Sequence, residues 1–111
     1  MKIMVSEVQG GVRCINLDGR LDAAGVQAGE AEFNSSLAVA SNAIVDLAKV
    51  PFIASIGVRM LVAGAQAQKK MGGKMVLVNP DDATRRILKT TGIDQVVPVF
   101  DNMNGALAAF A

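Results

Sequence analysis

Hydrophobic residues recur with two different periods along this chain, and the switches between them mark its elements. Lys2 to Val8 alternates loosely, with Ile3, Val5 and Val8 apolar, and Val12 to Leu17 is a second short apolar run; both predict strands. Between them lies Gln9-Gly10-Gly11. Paired glycines adopt positive φ without steric cost, which predicts a tight hairpin turn and antiparallel pairing. In Leu17-Asp18-Gly19-Arg20-Leu21-Asp22, Gly19 predicts a bulge or sharp exit from the strand, and Asp22 stands where a helix N-cap belongs. The helix expected over Ala23 to Leu37 turns Ala23, Val26, Phe33 and Leu37 to one face. Gly25 and Gly29 each cost it about 1 kcal/mol relative to Ala, so they point either to close packing or to mobility. Ser35, Ser36 and Ser41 are expected as solvated loop residues at its far end.

The next strand, Asn42 to Asp46, is apolar from Ala43 to Val45 and is expected to be buried. Pro51 interrupts the chain, and a helical run follows from Ser55 to Met71, with Val58, Leu61, Val62 and Ala65 at i, i+3, i+4 and i+7. Ser55 is therefore an N-cap or first-turn residue. As a cap it would contribute about 1 kcal/mol. As a phosphoacceptor it would set an anion against free N–H donors and the positive end of the helix dipole. Gly72-Gly73 ends the helix, Lys69 and Lys70 suit its C-terminal dipole, and Lys74 to Val78 is another buried strand. Asn79-Pro80-Asp81-Asp82 predicts a helix over Asp81 to Thr91, closed by Gly92, with Ile93 folding back onto Leu88. Its Arg85, Arg86 and Lys89 read as a solvated face matched to the dipole. Gln95 to Phe100 predicts a strand that Pro98 confines to a sheet edge, and Asn104 to Phe110 a terminal helix with Leu107 and Phe110 inward. The order β-β-α-β-α-β-α-β-α predicts an α/β fold: a mixed, mostly parallel sheet of about five strands with packed helices.

Composition narrows the chemistry. The 111 residues predict a single domain over 1–111. The chain is 51% hydrophobic, yet no apolar run approaches the ~20 residues of a membrane span, and Met1 to Gly10 has no basic-then-apolar pattern. These features predict a soluble, cytoplasmic protein without membrane insertion. A formal net charge of +1, no Tyr or Trp and scattered Phe argue against a direct nucleic-acid surface. The one cysteine, Cys14, is expected as a buried free thiol. With no histidine, a Ser-His-Asp triad, a Cys-His pair and a His-ligated zinc site are excluded. Neither a catalytic set nor a Gly-rich nucleotide loop is present, so no enzyme, cofactor or metal is expected.

Several stretches, in order, resemble the STAS-domain anti-sigma factor antagonists, the bacterial anti-anti-sigma proteins. They are Leu17-Asp18-Gly19-Arg20-Leu21-Asp22, Phe52-Ile53-Ala54-Ser55-Ile56-Gly57-Val58, Gly72-Gly73-Lys74-Met75-Val76-Leu77-Val78 and Leu88-Lys89-Thr90-Thr91-Gly92-Ile93. The resemblance implies a STAS-type fold and a binding protein switched by phosphorylation. Its partner would be an anti-sigma factor that is also a serine kinase, and a serine phosphatase would reset it. It implies Ser55 as the phosphorylated residue, with Asp22, Ala54, Ser55, Ile56, Gly57, Arg59 and Met60 as the partner-binding set. Ala54 stands where the family usually has an acidic residue, and Ile56 where it has Ser or Thr. Ile56 and Met60 lie off the apolar stripe, so each either offers contact area beside Ser55 or packs inward. The alternative function is a STAS scaffold or regulatory module in another assembly, such as a lipid-transport ATPase or a sensory complex, without phosphorylation.

Overall fold

Five strands form one sheet in the order of the chain: β1 (Lys2–Glu7), β2 (Arg13–Asp18), β3 (Ala43–Lys49), β4 (Met75–Val78) and β5 (Val99–Phe100). They are seen in a computed structural model that describes residues 1–110. β1 is antiparallel to β2, and the remaining neighbours pair in parallel. The helices are α1 (Ala23–Ala38), α2 (Ser55–Lys70), α3 (Asp82–Thr91) and α4 (Met103–Ala108). Because the parallel strands follow one another without reversal, crossovers of one hand put every connecting helix on the same side. Accordingly Phe33 and Leu37 of α1, Met60 and Leu61 of α2 and Leu88 of α3 share one core with Ile15, Val45 and Leu77 of the sheet. α4 alone covers part of the other face, packing Ala106 with Ile44, Val76 and Val78. Leu107 and Phe110 lean on that smaller cluster, half-buried.

Local chemistry explains where the elements differ from expectation. The hairpin connection is a 3-10 turn over Gln9–Gly11, with Gly10 and Gly11 at φ 72° and 76°, closed by the Val8 N–H donating to the Val12 carbonyl at 2.9 Å. Ser35 and Ser36 lie inside α1, not in a loop. Their hydroxyls donate back to the carbonyls of Ala31 and Glu32, four residues earlier, at 2.9 and 2.8 Å, which satisfies them within the helix. Ala23 is exposed rather than inward, and Gly25 and Gly29 are buried with Val26, Phe33 and Leu37. A Cβ on Gly25 would collide with the Arg20 carbonyl, so close packing is the role of that glycine. Residues 93–95 form a 3-10 turn, and only Val99 and Phe100 of the expected last strand pair with β4, at the sheet edge. Gly92 ends α3 in the left-handed region at φ 76°, with Ile93 and Leu88 buried in one cluster as expected. Cys14 is a buried free thiol, and burial, helped by the charge of Asp46, pushes its pKa up.

Candidate functional site

The site forms where the loops leaving the C-terminal ends of β2 and β3 meet. Leu21 and Ile53, both buried, pair as an isolated parallel bridge. The Leu21 N–H donates to the Phe52 carbonyl and the Ala54 N–H to the Leu21 carbonyl, each at 2.9 Å. Beneath them the buried Thr84 hydroxyl holds the Val50 carbonyl at 3.0 Å. These bonds satisfy loop backbone that would otherwise be buried unpaired, and they set the N-termini of α1 and α2 side by side.

Each helix begins differently. Asp22 caps α1: one carboxylate oxygen accepts from the Gly25 N–H at 2.9 Å, the other from Arg20 Nε at 3.1 Å. The Gly25 bond first and Arg20 second hold the Asp22 carboxyl below the usual carboxylate range. The Arg20 guanidinium also lies over the Phe52 ring, 4.5 Å from its centroid, and so ties the two loops together from outside. In α2 the N-cap is Ala54, whose side chain has nothing to offer, and its carbonyl accepts the first helical bond from the Val58 N–H at 3.0 Å. Ser55 is the first helical residue and is exposed. It is thus a first-turn residue and not a cap. The N–H groups of Ser55, Ile56 and Gly57 precede that first bond, where no intrahelical carbonyl reaches them.

Of the residues expected to form this surface, Ser55, Ile56 and Arg59 are exposed, and Asp22 and Ala54 are half-buried. Met60 is not exposed contact area: it is 1% accessible and belongs to the core. Gly57 is buried as well. A Cβ there would stand 2.6 Å from the Leu21 carbonyl oxygen, so its role is to let α2 approach the β2–α1 loop. The deepest line of α2 is therefore Gly57, Met60, Leu61, Gly64 and Gln68, while Val58, Val62 and Ala65 of the expected stripe are half-buried. Hydrophobicity does not mark glycine, and Gly64 marks the meeting with α1: a Cβ there would lie 2.8 Å from Leu37 and 2.9 Å from Phe33. Arg20 and Phe52 were not expected in the site. Both lie inside the motifs quoted above, but only the pairing of the two loops brings them together.

Among the described residues no helix is long and apolar enough to cross a membrane, and no cluster of His, Cys, Asp or Glu suits a metal ion. The model of the STAS domain matches residues 4–106. The chain is 26% identical over 112 aligned positions to BtrV of Bordetella bronchiseptica, provisionally named an anti-sigma factor antagonist, covering 99% of this chain and 95% of that one. An anti-sigma factor antagonist from Mycobacterium paratuberculosis superposes with a TM-score of 0.86 at 28% identity, covering 97% of this chain and 92% of that one. A STAS-domain anti-sigma-factor antagonist from Planctomyces limnophilus also gives 0.86, at 26% identity, covering 98% and 97%. With its sheet order, its paired loops and a family match spanning nearly all of its length, the chain belongs to the STAS domain family.

Proposed function

We propose that this protein is an anti-sigma factor antagonist acting in transcription regulation. It binds an anti-sigma factor that is also a serine kinase, and phosphorylation of Ser55 releases it. The observation that carries this reading is the entry into α2: Ala54 occupies the N-cap without a side-chain bond, so the fold makes no use of the Ser55 hydroxyl as a cap. A phosphate on Ser55 adds about −1.5 to −2 charge and three acceptor oxygens beside uncommitted N–H groups and the positive helix end. Arg59, one turn on and exposed, is spaced to pair with it on the free protein. In the complex Ile56, 39% exposed, would bury apolar area next to Ser55. A doubly charged phosphate enclosed there loses its hydration without gaining a partner, and affinity falls. Alanine in place of the family's usual acid leaves no like charge beside the phosphate.

The names of the relatives in Bordetella and Mycobacterium support the antagonist role. A serine phosphatase would restore the binding form. Ala54 and Ile56, which depart from the family motif, favour the second reading, a scaffold or regulatory STAS module without phosphorylation. Incubation of the chain with an anti-sigma factor from the source cell and ATP, followed by mass-spectrometric mapping, distinguishes them. The expected result is one phosphate, on Ser55, with none on Ser55→Ala, and affinity for that factor weakened roughly tenfold or more in Ser55→Asp. Retention of the factor with Ser55 unmodified, or unchanged affinity of the Asp variant, would overturn the switch.

A further inference from the structure

We propose that the outward face of α2 beyond Arg59 is a second docking surface, which takes an acidic, partly aliphatic segment of a partner protein. α2 contains Arg59, Lys69 and Lys70 and no acidic residue. The ion pairs among the described residues are Arg13 with Glu7, Arg20 with Asp22 and Arg85 with Asp101, so none engages Lys69 or Lys70, the two cations beyond Arg59. Ser55, Arg59, Val62, Gln66 and Lys69 succeed one another at alternating steps of four and three, which puts them on one stripe along the helix. The far half of that stripe borders a hollow of about 380 Å³ between α2 and residues 95–97.

The lining of this hollow divides by height. Val97 is buried at 1% exposure and Val62 and Ala65 are half-buried, so together they make an apolar floor. Val96, 68% exposed, stands on the rim opposite Gln66 and Lys69. Lys69 also borders a shallower depression with Gln66 and Lys70, which continues the basic rim along the last turn of the helix. An aliphatic side chain entering the hollow would remove apolar surface on both partners from water. A carboxylate on the Lys69 side would meet the ammonium groups of Lys69 and Lys70, which have no ion-pair partner, at a rim where charges set specificity and encounter rate. A segment with an acid next to an aliphatic residue fits both features. An anionic bilayer fits them less well: its surface would touch Val96 but not the recessed floor, and a net charge of +1 gives little long-range attraction. The surface lies beyond the phosphoacceptor and does not depend on modification of Ser55.

The test pans a displayed random-peptide library against the full chain, with Lys69→Glu, a change at an exposed position, as the counter-target. Circular dichroism first establishes that the variant is folded. The expected peptides carry Asp or Glu next to Leu, Ile or Val. They bind the unmodified chain about tenfold or more tighter than the variant, and weaken as salt rises. Their amide shift changes fall on Val62, Lys69 and Val96, and Ser55→Asp binds them unchanged. Enrichment without acidic residues, equal retention by Lys69→Glu, loss of binding in Ser55→Asp, or shift changes confined to other faces would each overturn the proposal. So would the selection of no peptide; sedimentation of the chain on phosphatidylglycerol vesicles in that case would assign the face to a membrane.

Discussion

Replacing Gly57 with alanine tests the packing that positions Ser55, because two effects of opposite sign meet at that residue. In an exposed helix, Gly→Ala stabilises by about 0.5–1 kcal/mol through propensity. At Gly57 the new methyl would stand 2.6 Å from the Leu21 carbonyl oxygen, 2.8 Å from Leu21 Cβ and 3.0 Å from Ile53 Cγ1. Relief requires the loop to retreat. Yet that same carbonyl oxygen accepts the Ala54 N–H at 2.9 Å, and the Leu21 N–H is held by Phe52, so retreat strains both bonds. Overpacking of a tight site costs about 1–3 kcal/mol and a weakened hydrogen bond about 0.5–1.5 kcal/mol. Net of the propensity gain, Gly57→Ala is expected to destabilise the protein by roughly 1–3 kcal/mol. Gly105→Ala in α4 is the control, since its Cβ would meet nothing nearer than Phe100 at 3.4 Å, and it should be neutral or slightly stabilising. With no Trp or Tyr in the chain, the assay is urea unfolding followed by far-ultraviolet circular dichroism. A Gly57→Ala protein as stable as the parent would refute the close approach of α2 to the β2–α1 loop.

Three further outcomes follow from other parts of the fold. Asp22 and Asp81 both cap helices, accepting from Gly25 N–H and Thr84 N–H, and both carboxyls titrate below their ordinary value. Their contribution to stability is present above the unfolded carboxylate range near pH 4 and is lost as pH falls through the lower folded values. The midpoint of thermal unfolding should therefore drop on acidification below that range, and by less in the Asp22→Ala/Asp81→Ala protein; an equal drop would refute the capping assignment. Phe33, fully buried between α1, α2 and the sheet, should cost about 3–5 kcal/mol when truncated to alanine, measured by urea unfolding. Cys14, buried with a raised pKa, should react with a thiol reagent at neutral pH only as fast as the protein opens, and promptly in urea; fast labelling of the native protein would contradict its placement.

How far the sequence disclosed this molecule depended on whether a residue's role is fixed by its neighbours in the chain or by a distant segment. Asp81, expected as an early acid inside α3, is its N-cap, whereas Asp22 and Gly92 act within one turn of their own helix and were legible from local spacing. The last strand was not: Leu77 N–H bonds the Pro98 carbonyl, and only Val99 and Phe100 then pair, so its length is set by the edge of β4 and not by the apolar residues before it. The inward face of α2 was legible only in part: Leu61 is in the core and Val58, Val62 and Ala65 pack half-buried against it, but the deepest line follows Gly57 and Gly64, whose contribution is the lack of a side chain, and Gln68, a polar residue buried at 0% exposure by donating to the Ala40 carbonyl at 2.6 Å. Ser55 falls between these cases. The sequence located it at a helix start but left open whether it was the cap, because that depends on where the chain turns into the helix. The turn is fixed at Ala54 by its N–H bond to Leu21, across the loop pair. The same bond makes the departure at Ala54 intelligible. The backbone of that residue does the positioning, and its side chain makes no bond that the fold uses.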